Sequence, residues 1–298
     1  MPAFSSILCG VDFSDHSAQA LRAGAALAER EGATLQVVAV IDPLLADAAA
    51  AAYDLETLTA DTEAELRAFV ASALPATAPN ERPALHVVVG HAAREILRAA
   101  ESFRADLIVV GTQGLGGFRK LLFGSITDQV LRDTGTAVLV VPPPERAGAT
   151  PLEPHGPIVA AVDVDRPSGA LVATAGALAR DLDAPLVLVH VVQPLQTAPR
   201  WRSHAESHAR GRQERARQAL AAIATEAKTV RPAETLVVAG NAADEIPRVA
   251  AERRASLIAI GLGRPRGVGH RPGSTAYRVG CCAGVPVLAL PEAETPSA

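Results

Sequence analysis

Aromatic residues are scarce in this 298-residue chain: six Phe, two Tyr and one Trp, or 3%. Single-stranded nucleic acids are held largely by bases stacking on aromatic rings, so this scarcity argues against such partners. A formal net charge of −4 and a pI near 6.1 provide no basic field for a phosphate backbone either. No uncharged apolar run is long enough to span a bilayer. The amino terminus, MPAFSSILCGVDFS, lacks the charged segment and apolar core of a secretory leader. Only three cysteines occur, and Cys9, Cys281 and Cys282 form neither a disulfide framework nor a zinc pattern. A bond between the adjacent Cys281 and Cys282 would be strained. The expectation is reduced, buried thiols in a cytoplasmic protein with no nucleic-acid and no membrane partner.

What the chain does have is apolar residues (49%) and length enough for two domains with cores of their own. It also has a repeat. Residues 92–111, AAREILRAAESFRADLIVVG, align with 242–261, AADEIPRVAAERRASLIAIG, with eleven of twenty positions identical. Asp12 matches Asp163, Gly90 matches Gly240, Gly124-Ser125 matches Gly273-Ser274, and Pro142 matches Pro291. The Pro- and Gly-rich segment PPPERAGATPLEPHGP has no periodicity and reads as a linker. The expected division is a first domain over 1–143, a linker over 144–156, a second domain over 157–293 and a tail over 294–298.

Each half alternates short apolar runs with amphipathic stretches. In the first half the runs are SILCGVD, TLQVVAVID, LHVVVG, DLIVVG and AVLVVP, separated by helical patterns at 16–31, about 55–74, 92–103 and 125–133. In the second they are PIVAAVD, PLVLVHVV, TLVVAG, SLIAIG and PVLALP. Continuous Val/Ile/Leu runs predict strands buried on both faces, and the intervening helices predict right-handed crossovers. The fold class is therefore α/β, with two tandem, Rossmann-like, doubly wound sheets of five parallel strands. Ligands of such sheets sit beyond the carboxyl ends of the strands, where the strand order reverses.

The fourth strand of the first half runs into GTQGLGGFRKLLFGSIT, which spaces its residues Gly111-x2-Gly114-x9-Gly124-Ser125. Glycines let a backbone approach a ligand closely. Gly124, Ser125, Ile126 and Thr127 open a helix with Ser125 as the expected N-cap, and the N–H groups of a helix start attract anions. The arrangement suits a ribose near Gly111 and Gly114, with phosphates at Gly124 to Thr127. This spacing, with Asp12 after the first strand and AVID ending the second, resembles that of the ATP-binding universal stress proteins, over nearly the whole chain and once per half. The resemblance implies that Asp12 and Val40 line an adenine pocket with Gly10 beside it, and that the ligand is ATP with Mg²⁺. The second half departs from the pattern. It keeps Asp163, Val191, Gly273, Ser274 and Thr275, but one residue, not two, separates Gly261 from Gly263. Arg264, Arg266, His270 and Arg271 either offset this by pairing with phosphates or form a solvated loop.

Other motifs fail on inspection. No lysine precedes Ser125 as a P-loop requires, DFSDHS stands where a dinucleotide fingerprint belongs, and FGSIT is not a nucleophile elbow. His204 and His208 are four apart, but a solvent-facing helix accounts for them, as it does for Arg200, Arg202, Arg210, Arg212, Arg215 and Arg217. His91 reads as a neighbour of a helix cap. The leading function is a stress-response regulator whose ATP occupancy changes its conformation or its binding of an unknown protein partner. Asp12 and Asp128 are the only nearby acids and make no catalytic constellation, so an enzyme is not expected. A slow Mg-dependent ATPase and a nucleotide-free scaffold are the alternatives.

The fifth strands, AVLVVP and PVLALP, are apolar sheet edges that need cover. The resemblance implies that they pair antiparallel as an intramolecular pseudo-dimer, with homodimerisation of whole chains left open. Val140→Lys is expected to open that interface more than it disturbs the first domain, and crosslinks between the two strands test the pairing. Crosslinks placing them far apart would defeat it.

Overall fold

The computed structural model describes residues 2–52, 54–74, 83–112, 124–143, 156–194, 202–227, 229–263 and 274–292. They fall into two compact units, Pro2–Leu152 and Glu153–Ala298. The N-terminal unit runs β1 (Ser6–Val11), α1 (Asp15–Glu31), β2 (Thr34–Ile41), α2 (Pro43–Ala52), α3 (Leu55–Ala73), β3 (Ala84–Val89), α4 (Ala92–Ser102), β4 (Leu107–Gly111), α5 (Ser125–Asp133) and β5 (Ala137–Val141). Its strands are all parallel and pair in the order β3-β2-β1-β4-β5. The C-terminal unit runs β6 (Ile158–Ala161), α6 (Gly169–Asp181), β7 (Leu186–Val192), α7 (Arg202–Glu226), β8 (Glu234–Ala239), α8 (Ala242–Glu252), β9 (Leu257–Leu262), α9 (Ser274–Cys282) and β10 (Val287–Pro291). Its parallel pairing, β8-β7-β6-β9-β10, repeats that order. The α/β reading of the apolar runs holds strand for strand.

The central strands are apolar on both faces because helices cover both. Ile7, Leu8, Cys9, Leu107, Ile108 and Val109 are fully buried. On one face α1 lies so close that a Cβ on Gly24 would touch Val109 at 3.5 Å. On the other, a Cβ on Gly10 would meet Ile96 Cδ1 of α4 at 2.9 Å, so a side chain there would displace Ile96. Helix α1 starts where Ser14 Oγ accepts the N–H of Ser17 (3.2 Å). It stops at Gly32, whose φ of 64° places it in the left-handed cap, with Ala33 N–H bonding back to Ala28 O (2.9 Å). One helix escapes the sequence periodicity. The alanine-rich α2 leaves Leu44 and Leu45 exposed and has no amphipathic face to read.

At the amino ends of the strands, Asp106 ties β4 to β1. Its Oδ2 accepts from the backbone N–H and the hydroxyl of Ser5 (2.8 and 2.7 Å), and its Oδ1 from Ser6 N–H (3.0 Å). Ser256 holds the equivalent place in the C-terminal unit and donates its hydroxyl to Gly156 O (2.8 Å).

The cysteines divide in a way the sequence did not anticipate. Cys9 is buried, Cys281 is half-buried and Cys282 is exposed, because the last turn of α9 lies at the surface. Burial pushes the Cys9 thiol up to about 12. At pH 8 a thiol-reactive dye is therefore expected to label Cys282 readily and Cys9 only after denaturation, as read by peptide mass spectrometry. Labelling of Cys9 in the folded protein at the rate of Cys282 would contradict this burial.

Candidate ligand site

In the N-terminal unit β1 pairs with β2 on one side and β4 on the other. The carboxyl ends of β1 and β4 are thus the point where the strand order reverses, which is where a doubly wound sheet leaves a crevice. The chain brings Gly10, Asp12, Val40, Gly111, Gly124, Ser125, Ile126 and Thr127 to this end of the sheet. Gly114 lies outside the described residues.

Asp12 follows β1, and a tight turn sets its carboxylate. Oδ1 accepts from Ser14 N–H (3.2 Å) and Ser14 Oγ (2.5 Å), while Ser17 Oγ and Asp12 N–H lie 3.3 Å apart. Val40 is half-exposed between the buried Ala39 and Ile41, giving the crevice an apolar wall at the end of β2. Gly10, in contrast, is buried, and its missing side chain is accounted for by Ile96.

The start of α5 is fastened to the end of β4. Gly124 N–H donates to Thr112 O (2.8 Å), and Thr127 Oγ1 donates to Gly111 O (2.7 Å). Gly124, not Ser125, is the N-cap: its backbone is extended (φ −56°, ψ 142°), and its carbonyl accepts the first helical bond from Asp128 N–H (3.1 Å). Ser125 is already helical, so its exposed hydroxyl is not used in capping. The first-turn N–H groups of such a helix have no intrahelical acceptor and present partial positive charge. Asp128, the acid in that turn, is held by Arg132. The arrangement can receive an anion.

The residue that sequence reasoning missed is Thr112. Its side chain is 5% exposed, and Oγ1 has no hydrogen-bond partner among the described residues. An orphaned buried hydroxyl costs roughly 1–3 kcal/mol, so a ligand that bonded it would recover that cost. Comparing the repeats would have flagged it, because the C-terminal unit has the buried Leu262 at this position.

The C-terminal unit has the same strand ends with different chemistry. Val191 is half-exposed, as Val40 is. Ser274 and Thr275 open α9, but the buried Ala276 replaces Thr127. Gly273, Arg264, Arg266, His270 and Arg271 lie outside the described residues. Asp163 accepts from Asp165 N–H (3.1 Å) and lies 3.9 Å from Arg166 Nε. Arg166 Nη1 is bonded to Glu292 Oε1 (2.5 Å), and a Cβ on Gly263 would come within 2.4 Å of that same nitrogen. Gly261 has open space, but Gly263 faces a guanidinium. His190 Nδ1 donates to Val162 O (2.9 Å) at the end of β6. The C-terminal unit thus lacks the hydroxyls of Thr112 and Thr127 and has a guanidinium beside Gly263.

Elsewhere, His91 is the exposed N-cap residue of α4 and makes no side-chain capping bond. On α7, His208, Arg210, Arg215 and Arg217 are exposed, as a solvated face requires, whereas Arg212 reaches back to Gln193 O. Among the described residues no three His, Cys, Asp or Glu side chains group as metal ligands, and no helix is long and apolar enough to cross a membrane.

Two kinds of comparison agree with this geometry. A universal stress protein from Thermus aquaticus is 35% identical over 138 residues, which cover 46% of this chain and 98% of that protein. Among solved structures, a putative universal stress protein from Pseudomonas aeruginosa UCBPP-PA14 covers 97% of this chain and 94% of its own at a TM-score of 0.64 and 18% identity. A universal stress protein from Archaeoglobus fulgidus gives the same TM-score and identity, covering 97% of both chains. At that identity the two structures speak for the fold alone. The model of the Universal stress protein family matches residues 3–142 and again 155–291, and the chain belongs to that family as a tandem, two-domain member.

Proposed function

We propose that the N-terminal unit binds ATP with Mg²⁺ and that the chain acts as a nucleotide-responsive regulator in the stress response. The observation that carries this reading is the buried hydroxyl of Thr112, without a hydrogen-bond partner among the described residues, beside the N-terminus of α5. In this reading Asp12 and Val40 receive the base, Gly111 lies against the ribose, and the N–H groups of Ser125, Ile126 and Thr127 receive the phosphates. Mg²⁺ would offset phosphate charge. The chain's own part is to bind and orient. Both acids near the site are already engaged, Asp12 by Ser14 and Asp128 by Arg132, which favours binding over turnover. A change of partner affinity with occupancy follows if the partner reads the ordered loop ends around the ligand.

Two sets of variants test this. Gly124→Val and Ser125→Asp are expected to weaken Mg·ATP binding by tenfold or more in calorimetry, about 1.4 kcal/mol. Ser125→Asp separates binding from folding, because an acid in the first helical turn supports the free helix while opposing phosphate. Unchanged affinity in both removes the phosphates from α5. Thr112→Val keeps the shape and deletes the orphaned hydroxyl. The ligand-free melting temperature is expected to hold or rise, while the stabilisation added by saturating ATP falls. A melting temperature that drops with ATP stabilisation intact would show that Thr112 serves the fold and not the ligand.

A further inference from the structure

The C-terminal unit retains the strand order, the half-exposed valine and the acid after its first strand, yet its crevice contains an arginine. Arg166 lies on the loop from β6 to α6, and its side chain is only 19% exposed. Three groups surround its guanidinium. Glu292, which directly follows β10, takes Nη1 at 2.5 Å; Asp163 lies 3.9 Å from Nε; and Gly263, just past β9, leaves room for Nη1 by having no Cβ. These three contacts come from the ends of β6, β9 and β10, the rim on which the N-terminal unit builds its ligand site. The corresponding turn of that unit, DFSDHS, has no arginine. Its Asp12 instead faces the hydroxyl of Ser14.

We infer that Arg166 is a latch that closes the C-terminal crevice. It sits against the glycine that the family pattern assigns to ribose, ties up the acid equivalent to Asp12, and is anchored from the far side by Glu292. With the latch in place the C-terminal crevice is closed to a nucleotide, whatever the N-terminal unit binds. This inference rests on the proposed ATP site of the N-terminal unit only for its choice of probe. Burial and double pairing hold the side chain in place. Among the described residues, breaking the Glu292 contact leaves it the longer, more exposed approach to Asp163, whose side chain is 51% exposed.

The full-length protein supplies two readouts. The first needs no nucleotide. Arginine-selective labelling with a phenylglyoxal, followed by peptide mass spectrometry, is expected to modify Arg166 several-fold more slowly than Arg231, whose side chain is 64% exposed. Glu292→Gln is expected to remove that protection without lowering the melting temperature by more than a few degrees. Equal labelling of Arg166 and Arg231 in the unaltered protein overturns the latch. The second readout is equilibrium dialysis against Mg·ATP. The unaltered protein is expected to bind one equivalent and Gly124→Val none, while Arg166→Ala on the Gly124→Val background restores measurable uptake. Two equivalents in the unaltered protein defeat the latch. No uptake after Arg166→Ala, in a variant that melts cooperatively, assigns the closure to the shortened glycine spacing and also defeats it. No binding by the unaltered protein alongside uptake by Arg166→Ala would remove the ATP reading of the N-terminal unit and leave the latch standing.

Discussion

The position of β1 governs what each unit can do. With β2 hydrogen-bonded on one side and β4 on the other, the helices that lead into these strands, α1 and α4, must lie on opposite faces. Gly24 and Gly10 register the result, one with α1 pressed onto Val109 and the other with Ile96 of α4 pressed onto β1. Backbone that would otherwise close over the strand ends is carried away from them. The crevice is a by-product of covering both faces of a parallel sheet, and it exists in either unit before any residue in it is chosen.

Given that shared opening, the two units differ through a small set of side chains. Thr112 and Thr127 in one are Leu262 and Ala276 in the other, so the C-terminal rim has lost both hydroxyls. The exchange is favourable to folding, since Leu262 leaves no buried polar atom to satisfy. The N-terminal unit retains a cost of its own at Thr112.

The sheet was legible because its signal is collective. Five continuous apolar runs in each half, with helical patterns between them, leave few alternatives for a chain with these loop lengths. The glycine spacing likewise pointed to the end of β4 and the start of α5 as the candidate site, since turn residues act locally. Single-residue detail was less accessible. Ser125 looked like the cap because serine usually is one, but the fastening of Gly124 to Thr112 moves the helix start by a residue. Helix α2 has no periodic face and left no pattern. The pairing of Arg166 with Glu292 spans 126 residues and joins two loop ends that only the closed sheet brings together.

The opposite end of the sheet has its own consequence. Asp106 fastens the start of β4 to Ser5 and Ser6 through both carboxylate oxygens, whereas Ser256 makes a lighter connection in the C-terminal unit. A carboxylate with both oxygens engaged on a neighbouring strand acts as a staple: it fixes where β1 and β4 start relative to each other, although 101 residues of sequence separate Ser5 from Asp106. The alignment of the two strands at their carboxyl ends is thus set in part from the opposite end of the sheet.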